Sequence, residues 1–159
     1  MESLMSRTLS VETIAIVKST GPLLQQQGVA ITTRMYQRLF ENEAIRDMFD
    51  AAAQANGEQP RRLAAAILGY AQNIDKLENL AGTVERMVAR HVETGVKAEH
   101  YPFVAEALLP AIRDVLGADV ASDAVLAAWR EAYWVLADLL IAAEKARYDT
   151  LEAGRVAAA

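Results

Sequence analysis

The chain has 159 residues with 53% apolar and 23% charged side chains, which suits one globular domain with enough core to fold alone. It contains no cysteine, which excludes disulfides, zinc–thiolate sites, iron–sulfur clusters, thiol nucleophiles and cofactor attachment through a C-x-x-C-H motif. A net charge of −5 argues against a nucleic-acid partner, and the longest apolar runs, such as 63–68, are about six residues against the roughly 20 that a membrane span needs.

The N-terminus carries no long apolar h-region, so a cytoplasmic protein without a secretory signal is expected. Glycine and proline are sparse, and Ala, Leu, Glu and Arg are abundant, which points to an all-α domain. The first helix is expected over 11–27 with Ser10 as its cap, and the second over 29–40, with Gly28 as the break between them. A short piece follows at 43–49, then a loop at 50–57 closed by Asn56-Gly57. The next helix starts near Glu58, with Pro60 in its first turn, where a missing N–H is harmless. Its stripe Leu63, Ile67, Tyr70, Ile74 has the period of a helix face. A helix over 80–91 carries Leu80, Val84, Met87, Val88 and His91 on one side, and Gly95 ends that segment. Pro102 opens a helix over 101–116 that Gly117 stops. Ser122 caps the last and longest helix, which runs to about 151 with Leu126, Trp129, Tyr133, Leu136, Leu140 and Ala143 facing inward. One domain over 9–153 is expected, with an N-terminal extension at 1–8 and a flexible tail at 154–159.

Five polar residues fall on apolar stripes. His91 continues the face of Val84, Met87 and Val88. A neutral imidazole there can ligate a metal, but a lone histidine on such a face is more often packing. Glu144 shares the inner face of Leu136 and Leu140, where a carboxylate needs a partner; Lys145 or Arg147 would be the ordinary choice. Tyr101 and Tyr36 sit on helix stripes, where a buried hydroxyl needs an acceptor and core filling is the default. Gln59 tops the stripe that begins at Leu63, and an exposed first-turn residue is the plain alternative. The chain has no G-x-G-x-x-G, P-loop or G-x-S-x-G motif and no pair of histidines at helix spacing.

The stretches TIAIVKSTGPLL, GVAITTRMYQRLF, EQPRRLA, AQNIDKLENL, RHVETGVKAEHYPFV and AWREAYWVLADLLIAAE together resemble the bacterial globins, both the globin domain of flavohaemoglobins and the Vitreoscilla-type single-domain haemoglobins. The resemblance covers about residues 9–151. It implies a globin fold of six to eight helices enclosing non-covalent haem b. His91 of RHVETGV matches the proximal iron ligand. Tyr101 of EHYP and Glu144 of IAAE match its partners, and Tyr36 matches the distal tyrosine. Gln59 and Leu63 match a distal glutamine and leucine, Phe49 the ring that wedges against the haem, and Arg90, beside the ligand, a cofactor-binding position. The implied ligands are oxygen, nitric oxide and other small molecules. The implied activity is oxygen binding with nitric oxide dioxygenase capability, and an oxygen store, carrier or sensor is the alternative. No stretch of the 159 residues matches a flavin or nicotinamide domain, so turnover is expected to draw on a separate reductase.

Pro60 directly after Gln59 is expected to tip the glutamine outward, leaving Tyr36 as the main distal donor. Relative to the family, the stretch from Phe40 to Phe49 is one residue shorter and lacks a proline. Trp134 replaces a small residue, and the segment before Leu9 is longer. A homodimer through two helices is compatible with the apolar composition.

Overall fold

The computed structural model describes residues 9–48 and 57–158. Among these residues every element is helical: α1 (Val11–Ser19), α2 (Gly21–Leu39), α3 (Glu43–Arg46), α4 (Glu58–Gln72), α5 (Ala81–Thr94), α6 (Tyr101–Leu116) and α7 (Asp123–Ala158), with 3₁₀ turns at Leu77–Leu80 and Ala98–His100. Helix α2 packs on α4 and α6, and α7 packs on α1, α5 and α6. The result is the expected all-α, helix-on-helix arrangement. None of these helices is long and apolar enough to cross a membrane.

Local chemistry explains most of the boundaries. The Ser10 hydroxyl accepts from the Thr13 N–H at 3.0 Å, which satisfies one of the orphan donors at the start of α1. Gly95 closes α5 with φ 81°, a left-handed conformation that favours glycine. Pro102 sits in the first turn of α6, Gly117 ends it, and the Ser122 hydroxyl accepts from the Val125 N–H at the start of α7. Helix α7 runs on to Ala158, past the expected end near residue 151.

The first expected break is also misplaced. The first break falls at Thr20, not Gly28. The Thr20 hydroxyl donates back to the Val17 carbonyl at 2.5 Å, and Pro22 enters the first turn of α2. Gly28 lies inside α2, where a Cβ would meet the Ala64 Cβ at 3.4 Å. Its small size serves a close crossing of α2 and α4 rather than a turn.

The main core joins Val17, Ile31, Met35, Ile74 and Trp129 with their neighbours, each large side chain contributing about 1.5–3 kcal/mol on burial. Its buried polar groups are partnered, as burial requires: the Trp129 indole donates to the Thr20 hydroxyl at 3.2 Å, and the Tyr70 hydroxyl donates to the Ala132 carbonyl at 2.7 Å. A second, smaller cluster of Val88, Tyr101, Ala137 and Leu140 lies between α5, α6 and α7. Trp134 packs against this cluster, edge-on to Tyr133 with ring centroids 5.2 Å apart. The large ring is therefore accommodated within one chain. Phe49, most of the 50–57 loop and the extension 1–8 lie outside the described residues.

Candidate functional site

His91, Tyr101 and Glu144 come from α5, α6 and α7 and meet at the second cluster. His91 Nδ1 lies 2.7 Å from Glu144 Oε2 and 3.1 Å from the Tyr101 hydroxyl. The Tyr101 hydroxyl is 2.8 Å from each Glu144 oxygen and donates its one proton to that pair. Both carboxylate oxygens are then acceptors, so the complementary arrangement puts a proton on Nδ1 and leaves Nε2 with its lone pair. Burial, reinforced by the hydrogen bond to Glu144, pushes the Tyr101 hydroxyl well above the usual phenol range, so it stays a donor.

Glu144 is only 2% exposed. A carboxylate buried to that degree is tolerated only when it is fully hydrogen-bonded. The ordinary pairing with Lys145 or Arg147 does not occur, since Lys145 bonds Asp149 instead and Arg147 is exposed. The His91 side chain is 27% exposed, and its Nε2 makes no hydrogen bond among the described residues. Val84, Met87, Val92, Val96, Tyr133 and Leu136 are partly buried and pack against the same second cluster. An imidazole held at Nδ1 by a buried carboxylate, with no hydrogen bond to Nε2 among the described residues, is a donor arrangement able to ligate a metal. Arg90, the preceding residue, is exposed.

Two further tyrosines of α7 anchor the same region, and the sequence reading assigned neither a hydroxyl role. The Tyr133 hydroxyl donates to the Tyr101 carbonyl at 2.7 Å, and the Tyr148 hydroxyl donates to the Val96 carbonyl at 2.8 Å. Their only sequence signal is position: Tyr148 follows Glu144 by one turn, and Tyr133 shares the inward stripe of Leu136 and Leu140.

A second group forms between α2 and α4. Tyr36 is 6% exposed, and burial raises the pKa of its hydroxyl despite the opposing influence of Gln59 and Arg62. The Gln59 amide nitrogen lies 3.4 Å from the Tyr36 hydroxyl. Gln59 therefore turns toward Tyr36 and not outward, which corrects the expectation drawn from Pro60. The physical reason lies in the helix crossing: Thr32, one turn before Tyr36, is fully buried and donates to the Pro60 carbonyl at 2.8 Å. That bond ties the first turn of α4, and Gln59 with it, to α2. Leu63, one turn after Gln59, is partly buried against the core.

A family model described as Globin matches residues 33–140. A flavohemoprotein of Burkholderia sp. (strain TH2) is 50% identical over 141 residues, covering 88% of this chain and 36% of that protein. Among solved structures, an engineered carbene transferase built on a candidate nitric oxide dioxygenase from Rhodothermus marinus superposes with a TM-score of 0.85 at 41% identity, covering 91% of this chain and 99% of the other. The flavohemoglobin of Malassezia yamatoensis, solved with bound FAD and heme, gives a TM-score of 0.77 at 31% identity and covers 89% of this chain and 38% of that one. The chain spans about a third of the length of the curated relatives it matches.

Proposed function

Since the chain belongs to the globin family, we propose that it is a haem b protein that binds oxygen at an iron ligated by His91 and, given electrons from a separate reductase, has nitric oxide dioxygenase capability. The observation that carries this reading is His91 itself: Nδ1 engaged by Glu144 at 2.7 Å and by Tyr101, with Nε2 left open. When bound, haem supplies an iron that takes small diatomic ligands and can join oxygen to nitric oxide to give nitrate.

The chain's own residues shape that chemistry. Glu144 accepts the Nδ1 proton of His91 and so gives the imidazole partial anionic character, making it a stronger electron donor at Nε2. Tyr101 holds the carboxylate in place and spreads its charge through one further hydrogen bond. Val84, Met87, Val92 and Leu136, half-buried against the cluster that holds Tyr101, would help to exclude water there, which strengthens these contacts. The Tyr36 hydroxyl, in the distal role that the resemblance gives it, would donate to ligand atoms that carry partial negative charge. Gln59 sets the direction of that hydroxyl and offers a second donor. Leu63, partly buried against the core, would add an apolar lining and Arg90 would suit the carboxylate edge of the cofactor, while the role that the resemblance gives Phe49 falls outside the described residues. Flavohemoprotein relatives and the Rhodothermus marinus neighbour support the dioxygenase part of this reading.

The test is to load the ferrous protein with oxygen, mix it with nitric oxide and measure nitrate. About one nitrate per haem in a single turnover, and multiple turnovers only with an added reductase, is the expected result. Oxygen binding with no nitrate formed would leave an oxygen store, carrier or sensor instead.

A further inference from the structure

Tyr148 lies one turn beyond Glu144 on α7 and contacts neither His91 nor Tyr101 through a hydrogen bond. Its hydroxyl donates to the Val96 carbonyl at 2.8 Å. The Val96 N–H in turn donates to the His91 carbonyl at 2.9 Å, one of the bonds that close the glycine-ended C-terminus of α5. The Lys97 ammonium stands 3.8 Å from the centre of the Tyr148 ring, a cation–π contact that fixes the ring over the same corner. Burial and the nearby Glu144 charge both keep the Tyr148 hydroxyl protonated and therefore a donor.

Helix α7 thus reaches His91 by two routes one turn apart. Glu144 takes the imidazole directly, and Tyr148 takes the backbone through Val96. We propose that Tyr148 is a positioning residue for His91: by pinning Val96 it holds the last turn of α5 in the place where Nδ1 meets Glu144 at 2.7 Å, and so sets the electron-donor strength of Nε2. This rests on the haem reading above. The physical basis is that the last turn of a helix frays unless its carbonyls are satisfied. A hydrogen bond as short as 2.7 Å also weakens steeply once either partner can drift. Phenylalanine in place of Tyr148 removes only the hydroxyl and keeps the ring under Lys97, so the substitution isolates the Val96 contact.

The experiment compares wild type, Tyr148→Phe and Tyr70→Phe in the full 159-residue chain. Tyr70 also loses a buried hydroxyl-to-carbonyl bond, to Ala132, but in the main core and not in the second cluster, so it controls for general loss of stability. Three signals are read in the protein as isolated: hydrogen exchange of the Val96 amide, the proton resonance of His91 Nδ1, and the iron–histidine stretch of the ferrous haem form. Tyr148→Phe is expected to speed Val96 exchange by about fivefold, the equivalent of about 1 kcal/mol. It should also move the Nδ1 proton upfield and shift the iron–histidine stretch to lower frequency, while Tyr70→Phe leaves all three in place. If Tyr148→Phe lowers stability as Tyr70→Phe does and leaves the Nδ1 proton and the stretch unmoved, Tyr148 only stabilises the fold and the inference is overturned. A wild-type protein that shows no iron–histidine band overturns the haem reading instead, and the Val96 and Nδ1 signals still decide the role of Tyr148.

Discussion

Replacing Glu144 by Gln keeps the size of the buried side chain and removes its charge. In the native site Glu144 Oε2 accepts from His91 Nδ1 at 2.7 Å while the Tyr101 hydroxyl donates to the same carboxylate at 2.8 Å. An amide has one oxygen for these two donors. If Tyr101 keeps that oxygen, the amide N–H faces the Nδ1 proton and two donors oppose each other; if the amide flips, Tyr101 loses its acceptor. At best the charge-assisted bond to His91 becomes a neutral one, a loss of about 1 kcal/mol from the difference between about 1.5–3 and about 0.5–1.5. That loss falls mainly on the ferric form, whose imidazole is the stronger proton donor. At about 59 mV per tenfold for one electron, the reduction potential should rise by at least about 40 mV. Spectroelectrochemical titration of wild type and Glu144→Gln reads this directly. An unchanged or lower potential would show that the carboxylate does not tune the imidazole, and the proposed role of Glu144 would be wrong.

Other consequences are equally direct. Tyr36→Phe should raise the oxygen dissociation rate by about tenfold or more, the loss of a donor to a partly charged ligand, while Gln59→Ala raises it less; stopped-flow displacement with carbon monoxide measures both, and the reverse order would make Gln59 the main donor. A pH effect follows from Asp114, which ties α6 to α2 by accepting from Arg34 and Arg38, each at 2.8 Å. These guanidinium groups hold its carboxyl down at about 2. A folded-state pKa below the unfolded value means the stabilisation is present above the usual carboxylate range and is lost as pH falls through about 2. Urea midpoints of Asp114→Asn should therefore fall less steeply than wild type between about pH 4 and 2; parallel curves would show that the exposed pair contributes nothing to the fold.

Much of the architecture was legible because punctuation residues act locally. Ser10, Gly95, Pro102, Gly117 and Ser122 mark helix ends through caps, a positive φ or a missing N–H, and none of these depends on distant chain. Gly28 misleads for the opposite reason. Its purpose is a 3.4 Å approach to Ala64, a contact 36 positions away that a glycine in a single sequence does not announce. The Gly21-Pro22 dipeptide carries the true break as a turn signal. At the site, His91, Tyr101 and Glu144 stood out because polar groups on apolar stripes demand partners. The stripes do not say that the three partners are one another; the fold brings them within 3.1 Å. The hydroxyl contacts of Tyr133 and Tyr148 were hidden because a tyrosine on an inner face reads as core, and its acceptor is a backbone carbonyl that any sequence supplies. Gln59 was misread because the buried Thr32–Pro60 bond that turns it inward is a tertiary contact.

The most direct measurement is an absorption spectrum of the purified protein reconstituted with haem, alongside His91→Ala. The prediction is a Soret band with stoichiometric haem in the wild type, and in His91→Ala loss of the band or of the iron–histidine stretch, with native spectral character regained on adding free imidazole. Stoichiometric haem with an unaltered axial-ligand signature in His91→Ala, or a folded wild-type protein that takes up no haem, would contradict the assignment of His91 as the residue that holds the iron.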